Sequence, residues 1–382
     1  MMDLVILSNG VGEVTTWVYP LVRAIAERKD LLWRVSVVLT PCSHASGRER
    51  EIVQSYPAVA RVLPPDRFWD FLLWGKTPGW DWQPQGVVVF LGGDQFYTLV
   101  VGKRLGYKTV VYAEWQARWV PWIDCFALRH PSIGAGEKGT VIGDLMADVA
   151  PCTPLGGNYL VFLPGSKPMK LRVGVPLVLA VADRLRSIYP DLQFYIALAP
   201  TLTPPELARY GGNLAGDTLL SPQGTAVKIY GQFPATALFL GAKLCVTTVG
   251  ANTAQLAALG VPMLVLVPTN QWDVMRAWDG LAGLASHLPG LGKFISSGIN
   301  RLVVRQIKQG GKFLSWGNIY AQKPIVPEYI DYLTPDLVTQ YICQLLDDPA
   351  RLEQMRQELQ AIFPRQRSGV KLLELIESVA EK

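Results

Sequence analysis

Five groups of residues in this chain have types and spacings that could do chemistry. In the first, the apolar run Tyr159–Leu163 stops at Pro164-Gly165-Ser166-Lys167, and an amphipathic segment, Val173–Ile188, follows. That order reads as a buried strand, a tight turn and a helix. Gly165 lets backbone approach a ligand closely, Ser166 can cap the helix, and Lys167 adds positive charge where helix N–H groups already favour anions. A phosphate is the natural occupant. The second group is Val249-Gly250-Ala251-Asn252-Thr253-Ala254-Gln255, followed by Leu259-Gly260-Val261-Pro262-Met263. Here a Gly-containing turn opens a helix whose first N–H groups suit a diphosphate.

Two groups carry carboxylates. In Leu91-Gly92-Gly93-Asp94-Gln95, Asp94 follows the apolar strand Gly86–Leu91. It can act as general base on a hydroxyl or cap the next helix, and the two roles can coexist. In Ser8-Asn9-Gly10-Val11-Gly12-Glu13, the glycines permit a tight loop and Glu13 stands at the strand's carboxyl end. This is not a dinucleotide fingerprint, because Thr15 stands where a third glycine belongs. The last group is Leu314–Ala321 with Ile325–Glu328, in which Asn318 and Glu328 are polar residues of an apolar loop. Each group taken alone also fits an ordinary turn between a strand and a helix.

The elements that must position these residues alternate. The first half reads as strands Leu4–Ser8, Trp33–Thr40, Gly86–Leu91 and Thr109–Ala113, with helices Thr16–Glu27, Gly47–Ser55 and Tyr97–Leu105 between them. After a Pro/Gly-rich break at Ala150–Asn158 comes a second series, with strands Leu160–Leu163, Gln193–Ile196, Leu244–Thr247 and Met263–Val267. Near-continuous apolar strands alternating with helices predict parallel sheets covered on both faces. The expected fold is therefore α/β, with two Rossmann-like doubly wound domains facing a cleft. The domains are set at residues 1–150 and 158–340, and a helical segment, 341–382, packs back on them.

Composition bounds the function. The 382 residues exceed one compact core, and 49% hydrophobic with 18% charged residues describes a globular chain. A net charge of +5 fits anionic ligands or an anionic membrane surface, and is too small to argue for nucleic acid. The five cysteines and three histidines are scattered without metal-ligand spacing, so no metal site and a reducing compartment are expected. Met1–Asn9 reads as a first strand rather than a signal peptide, and no apolar run is long enough to span a membrane. The stretch 280–327 has six Lys/Arg and no Asp or Glu, interleaved with leucines and isoleucines. It suits either an anionic bilayer surface or a solvated basic face.

Together these motifs resemble the lipid-A-disaccharide synthase family, glycosyltransferases of GT-B architecture, from Gly12 to about Gln340. The Gly-Glu loop after the first strand is matched by Gly12-Glu13, but the family's Ser-Gly-Asp continuation is Val14-Thr15-Thr16 here. A strand-end Asp of the family aligns with Asp94, and Asp144 stands where the family's Val-Gly-His-Pro segment has His. The Leu-Pro-Gly-Ser-Arg turn corresponds to Leu163–Lys167, with Lys in place of Arg and so without the bidentate fork. The Ser-Gly-Thr-Ala-x-x-Glu turn corresponds to Val249–Gln255, where Gln255 keeps hydrogen bonding without the charge. The Pro-Asn-x-x-Ala and Val-Pro-Glu segments are matched by Gly317-Asn318-Ile319-Tyr320-Ala321 and Val326-Pro327-Glu328.

The resemblance implies a metal-independent transferase moving a sugar from a UDP-sugar to a lipid-linked acceptor. It needs no cofactor beyond that donor. Asp94 would be the base, with Glu13 beside it. Gly165, Ser166, Lys167, Gly250, Ala251, Asn252, Gln255, Asn318 and Glu328 would hold the nucleotide-sugar. It further implies a cytoplasmic protein associated peripherally with an anionic membrane through 280–327, compatible with a homodimer. Two other readings stay open. One is a degenerate protein of this fold that binds lipid or nucleotide without catalysis. The other is a different enzyme of the fold: a peptidoglycan-precursor or galactolipid-type transferase, or a nucleotide-sugar epimerase.

Overall fold

A computed structural model describes residues 1–42, 45–148, 152–268, 313–363 and 367–381. The chain divides into two compact units, Met1–Val149 with Arg365–Lys382, and Ala150–Pro364.

The first unit is a seven-stranded parallel sheet. Its strands are β1 (Met2–Ser8), β2 (Trp33–Leu39), β3 (Val59–Leu63), β4 (Gly86–Phe90), β5 (Lys108–Ala113), β6 (Cys125–Leu128) and β7 (Gly139–Val141), in the order β3-β2-β1-β4-β5-β6-β7. Leu4–Leu7 and Val87–Val89 are wholly buried, as expected of strands covered on both faces. The helical elements are α1 (Val11–Glu13), α2 (Tyr19–Glu27), α3 (Glu49–Gln54), α4 (Phe68–Trp74) and α5 (Gln95–Leu105). A π-helical turn, Val14–Val18, joins α1 to α2, so the chain is helical from Val11 rather than from Thr16. Its cause is local: the Thr15 hydroxyl donates to the Val11 carbonyl at 2.7 Å and the Thr16 hydroxyl to that of Gly12 at 2.7 Å.

The second unit holds an eight-stranded sheet ordered β10-β11-β12-β9-β8-β13-β14-β15. The strands are β8 (Tyr159–Leu163), β9 (Gln193–Ala197), β10 (Asn213–Ala215), β11 (Thr218–Leu220), β12 (Ala226–Tyr230), β13 (Leu244–Thr248), β14 (Met263–Pro268) and β15 (Glu328–Asp331). From β12 to β15 they run parallel, and β10 and β11 add an antiparallel edge. The helices are α6 (Pro168–Ile188), α7 (Pro204–Ala208), α8 (Thr236–Gly241), α9 (Ala251–Ala258), α10 (Trp316–Ala321), α11 (Pro335–Leu346) and α12 (Pro349–Ile362).

The C-terminal segment expected from 341 divides differently. α11 and α12 belong to the second unit, where Val338, Ile342 and Leu345 join the core over α6. The chain's final helix, Ser368–Ala380, packs in the first unit against α2. It is anchored there because the buried Asp148 carboxylate pairs with Arg23 and accepts from the Gly369 N–H at 2.5 Å. Among the described residues no helix is long and apolar enough to cross a membrane. Most of the basic stretch expected to meet a membrane, residues 280–312, lies outside the described residues.

In each sheet the chain builds to one side of its first strand and then crosses to the other. The crossings fall between β1 and β4 and between β8 and β13. Strand order reverses there, so the loops at the carboxyl ends separate and leave a crevice.

Candidate functional site

At the crossing of the second sheet, Gly165 has φ +98°, and a Cβ there would stand 3.0 Å from Lys170 Cδ. The positive φ favours glycine there, while the Lys170 side chain could shift to admit a Cβ. α6 begins at Pro168, where a missing N–H loses nothing, and its N-cap is Lys167 rather than Ser166. The expected cap by Ser166 is therefore not formed. The helix starts five residues before the predicted Val173, which brings Lys170 into its first turn.

Lys170 is one residue that sequence reasoning missed. Its ammonium donates to Thr248 Oγ1 at 3.2 Å and to the Val249 carbonyl at 3.1 Å, joining the β8 exit to the β13 exit. Burial, aided by the like charge of Lys167, lowers its pKa to about 8. One of its three N–H groups has no partner in that pair of bonds. Across the crossing, Gly250 has φ +153°, caps α9, and among the described residues has no atom within 4 Å of the position a Cβ would take. The Thr253 hydroxyl donates to the Gly250 carbonyl at 2.9 Å and accepts from the Trp316 N–H at 3.3 Å. Ala251 and Asn252 form the first turn of α9, and Gln255 is half-buried one turn further on. Two helix N-termini, one open glycine and two lysines thus converge on one crevice, a setting for a diphosphate.

Asn318 and Glu328 bond to one another. Asn318 is 1% exposed, donating to the Val326 carbonyl at 2.7 Å and to Glu328 Oε1 at 2.8 Å, and accepting from the Val326 N–H at 2.7 Å. Glu328 also accepts from the Leu314 and Ser315 N–H groups and from the Ser315 hydroxyl at 2.6 Å. These bonds occupy the Asn318 amide within the loop. The pair clamps the start of α10, which Thr253 ties to the Gly250 turn.

In the first unit, the Ser8 hydroxyl donates to the Leu91 carbonyl at 2.9 Å and ties the β1 exit to the β4 exit. Gly92 and Gly93 have φ +137° and +98°; a Cβ on Gly92 would stand 2.6 Å from Asn9 Oδ1, and one on Gly93 2.7 Å from Thr40 Oγ1. Asp94 is exposed and caps α5, accepting from the Phe96 N–H at 2.9 Å. Glu13 ends α1 against this turn: a Cβ on Gly92 would be 3.1 Å from its Cβ. The crossing therefore brings Glu13 beside the turn that carries Asp94.

A second acidic group, of which the sequence reading named only Asp144, lies at the ends of β5, β6 and β7. Glu114 follows β5 and pairs with Arg129, after β6, at 3.2 Å. Burial raises the Glu114 pKa to about 7 against the pull of Arg129, and the Asp144 and Glu13 carboxylates add to the rise. Asp144 accepts from the Met146 N–H at 2.9 Å and from the hydroxyl of buried Tyr112 at 3.5 Å. The Arg129 guanidinium lies over the Trp115 ring at 4.0 Å. The one sequence signal for Glu114 was its place directly after the strand ending at Ala113. Among the described residues no three His, Cys, Asp or Glu side chains are placed to hold a metal ion.

No family model matches the chain. It is similar to lipid-A-disaccharide synthases. That of Geobacter sulfurreducens is 24% identical over 215 residues, 56% of this chain and 46% of that protein. That of Anaeromyxobacter dehalogenans is 39% identical over 57 residues, 15% of each chain. The chain thus spans about half the length of the first of these relatives and less of the second. Among solved structures, a UDP complex of MnaA from S. aureus gives a TM-score of 0.54 at 13% identity, covering 100% of this chain and 97% of that one. The calicheamicin glycosyltransferase gives 0.51 at 13%, covering 100% and 99%. The putative UDP-N-acetylglucosamine 2-epimerase of Listeria monocytogenes gives 0.52 at 13%, covering 99% and 96%. At these identities the likeness is one of fold: two Rossmann-like α/β units of the GT-B class.

Proposed function

We propose that the chain is a glycosyltransferase that moves a sugar from a nucleotide-sugar, taken as a UDP-sugar, to a lipid-linked acceptor. One observation carries the reading: Lys167 and Lys170 converge with the first turns of α6 and α9 at the crossing of the second sheet. A leaving nucleoside diphosphate develops negative charge as the sugar departs. Fixed N–H dipoles and two ammonium groups stabilise that charge without rearranging. Gln255, a turn inside α9, offers its amide to the ribose. Asn318 and Glu328 act on the donor indirectly, by fixing the α10 loop that Thr253 holds to Gly250.

In the first unit Asp94 takes the proton from the acceptor hydroxyl. It is exposed at the carboxyl end of the sheet, and its bond to the Phe96 N–H fixes its direction. Glu13 supports it across the Gly92 turn. The likeness to lipid-A-disaccharide synthases supports a lipid-linked acceptor. The test is release of UDP from a panel of UDP-sugars, with and without lipid acceptors. Acceptor-dependent UDP release supports transfer. Conversion of the UDP-sugar without acceptor replaces transfer by epimerisation. Binding without turnover of any donor replaces both by a non-catalytic role.

A further inference from the structure

The sheet edge that carries Asp94 holds a further carboxyl, Glu114, which the reaction above leaves unused. Glu114 directly follows β5, and β5 pairs with β4 so that Val111 lies beside Phe90. The two strands run parallel, so Asp94 and Glu114 leave the sheet at the same end, from neighbouring strands about 4.8 Å apart. Gln95, the residue after Asp94, joins the two segments. Its amide donates to the Gln116 carbonyl at 2.9 Å and accepts from the Arg118 N–H at 2.8 Å. The start of α5 is thereby fixed against the loop that follows Glu114. Arg129 binds Glu114 Oε1 at 3.2 Å, and the Trp115 side chain bonds to the same carboxyl. The Glu114 side chain is 17% exposed. A carboxylate with two donors still has lone pairs to offer. Beside it the Trp115 ring is 60% exposed.

A carboxylate oriented by a guanidinium is a strong acceptor for a hydroxyl. Two carboxylates at one sheet edge can take hydrogen bonds from two neighbouring hydroxyls. An exposed indole beside them suits the apolar face of a sugar ring. We propose that Glu114 is a specificity residue of the acceptor site, accepting from the hydroxyl next to the one that Asp94 deprotonates. The acceptor class is therefore a diol carried on a sugar ring. The role of Asp94 rests on the transfer reading, whereas the contact with Glu114 is read by binding alone. That contact needs the ionised form of Glu114. Burial holds a proton on it up to about pH 7 against the pull of Arg129 after β6, and the carboxylates of Asp144 after β7 and Glu13 of α1 add to the hold. Tyr112 of β5 also faces it. Affinity for the diol should therefore rise as pH rises through about 7.

The test is calorimetric titration of the full chain with octyl glucoside, kept below its micelle concentration, and with each of its monodeoxy analogues. Wild type is expected to bind octyl glucoside roughly 5- to 10-fold more tightly at about pH 8 than at about pH 6. One deoxy analogue, lacking the hydroxyl that meets Glu114, should bind roughly tenfold or more weakly at the higher pH. Glu114→Gln keeps the shape of the side chain and loses its charge. It should weaken octyl glucoside roughly 3- to 10-fold at about pH 8, remove the pH dependence, and no longer distinguish that analogue. Wild type that binds no octyl glucoside, or binds every deoxy analogue equally, overturns the proposal. A Glu114→Gln variant that keeps the discrimination or the pH dependence overturns the choice of residue. UDP release with the lipid acceptors is followed in parallel. Release without discrimination among the deoxy analogues overturns the diol contact and leaves transfer standing. Discrimination that depends on Glu114, without release from any donor, supports the contact and overturns transfer.

Discussion

Lys170→Met should make the protein more stable and its nucleotide binding weaker. The Lys170 pKa falls from 10.5 to about 8 on burial, which corresponds to about 3 kcal/mol against folding with the ammonium charged. Methionine keeps most of the length without charge. The partners left behind, Thr248 Oγ1 and the Val249 carbonyl, belong to half-buried residues that water can reach, so their loss returns about 1 kcal/mol. A net gain of about 1–3 kcal/mol at pH 7 is expected in urea unfolding. The same substitution removes a charge-assisted bond to the diphosphate worth about 1.5–3 kcal/mol, so UDP affinity should fall roughly 10- to 100-fold. Calorimetric titration with UDP measures that loss. The pH dependence carries the same signature. Between about 8 and 10.5 the folded wild type has released this proton while the unfolded chain retains it. Wild-type stability therefore gains with rising pH in that window relative to the variant, while UDP affinity declines. A variant that binds UDP like wild type refutes the placement of the diphosphate beside Lys170.

The other predictions concern the carboxylates and the clamp. Asp94→Asn should lower turnover by about 10²- to 10⁴-fold with UDP affinity unchanged, measured by UDP release; unchanged turnover removes its role as base. Glu114 keeps its proton to about pH 7 when folded against 4.5 in its ordinary state, so its contribution is present below about 4.5 and lost as pH rises through 7. Glu114→Gln should flatten a decline of up to about 3 kcal/mol across that window in urea unfolding, and an unaltered slope contradicts the burial of this group. Asn318→Leu breaks three bonds at a wholly buried position and should destabilise the second unit by roughly 3 kcal/mol, lowering UDP affinity through the loosened α10 loop. Denaturation together with UDP titration checks both effects, and loss of affinity without loss of stability points to direct contact instead.

What the sequence disclosed and what it hid follow from the range of the forces involved. β1, β4, β8 and β13, with the glycine turns after them, were legible because an apolar run ended by glycine is a local signal. The start of α6 was not, because Gly174 and Pro176 argue against helix locally. The helix is held by buried Leu171, Val175, Val178, Leu179 and Val181, which answer to the sheet beneath. Misplacing that start hid Lys170. Glu114 and Arg129 stay silent in the sequence, because β6 is only four residues long and fifteen positions separate the pair. Asn318 and Glu328 were noticed as polar residues in an apolar loop. Their meaning as a clamp needed the return of the chain over ten residues. The edge strands β10 and β11, three residues each, give no periodic pattern at all.

The central claim is that the crossing in the second unit holds a nucleoside diphosphate. Thermal unfolding of the purified chain with UDP, UDP-sugars and other nucleotide-sugars tests it most directly. A ligand at about 100 times its dissociation constant should stabilise by about 2.7 kcal/mol, roughly 5 °C for a unit of this size. The account predicts such a shift with UDP and with at least one UDP-sugar, reduced to about 0.4–1.4 kcal/mol in Lys170→Met at the same ligand concentration. A well-folded sample that shifts with none of these ligands contradicts it.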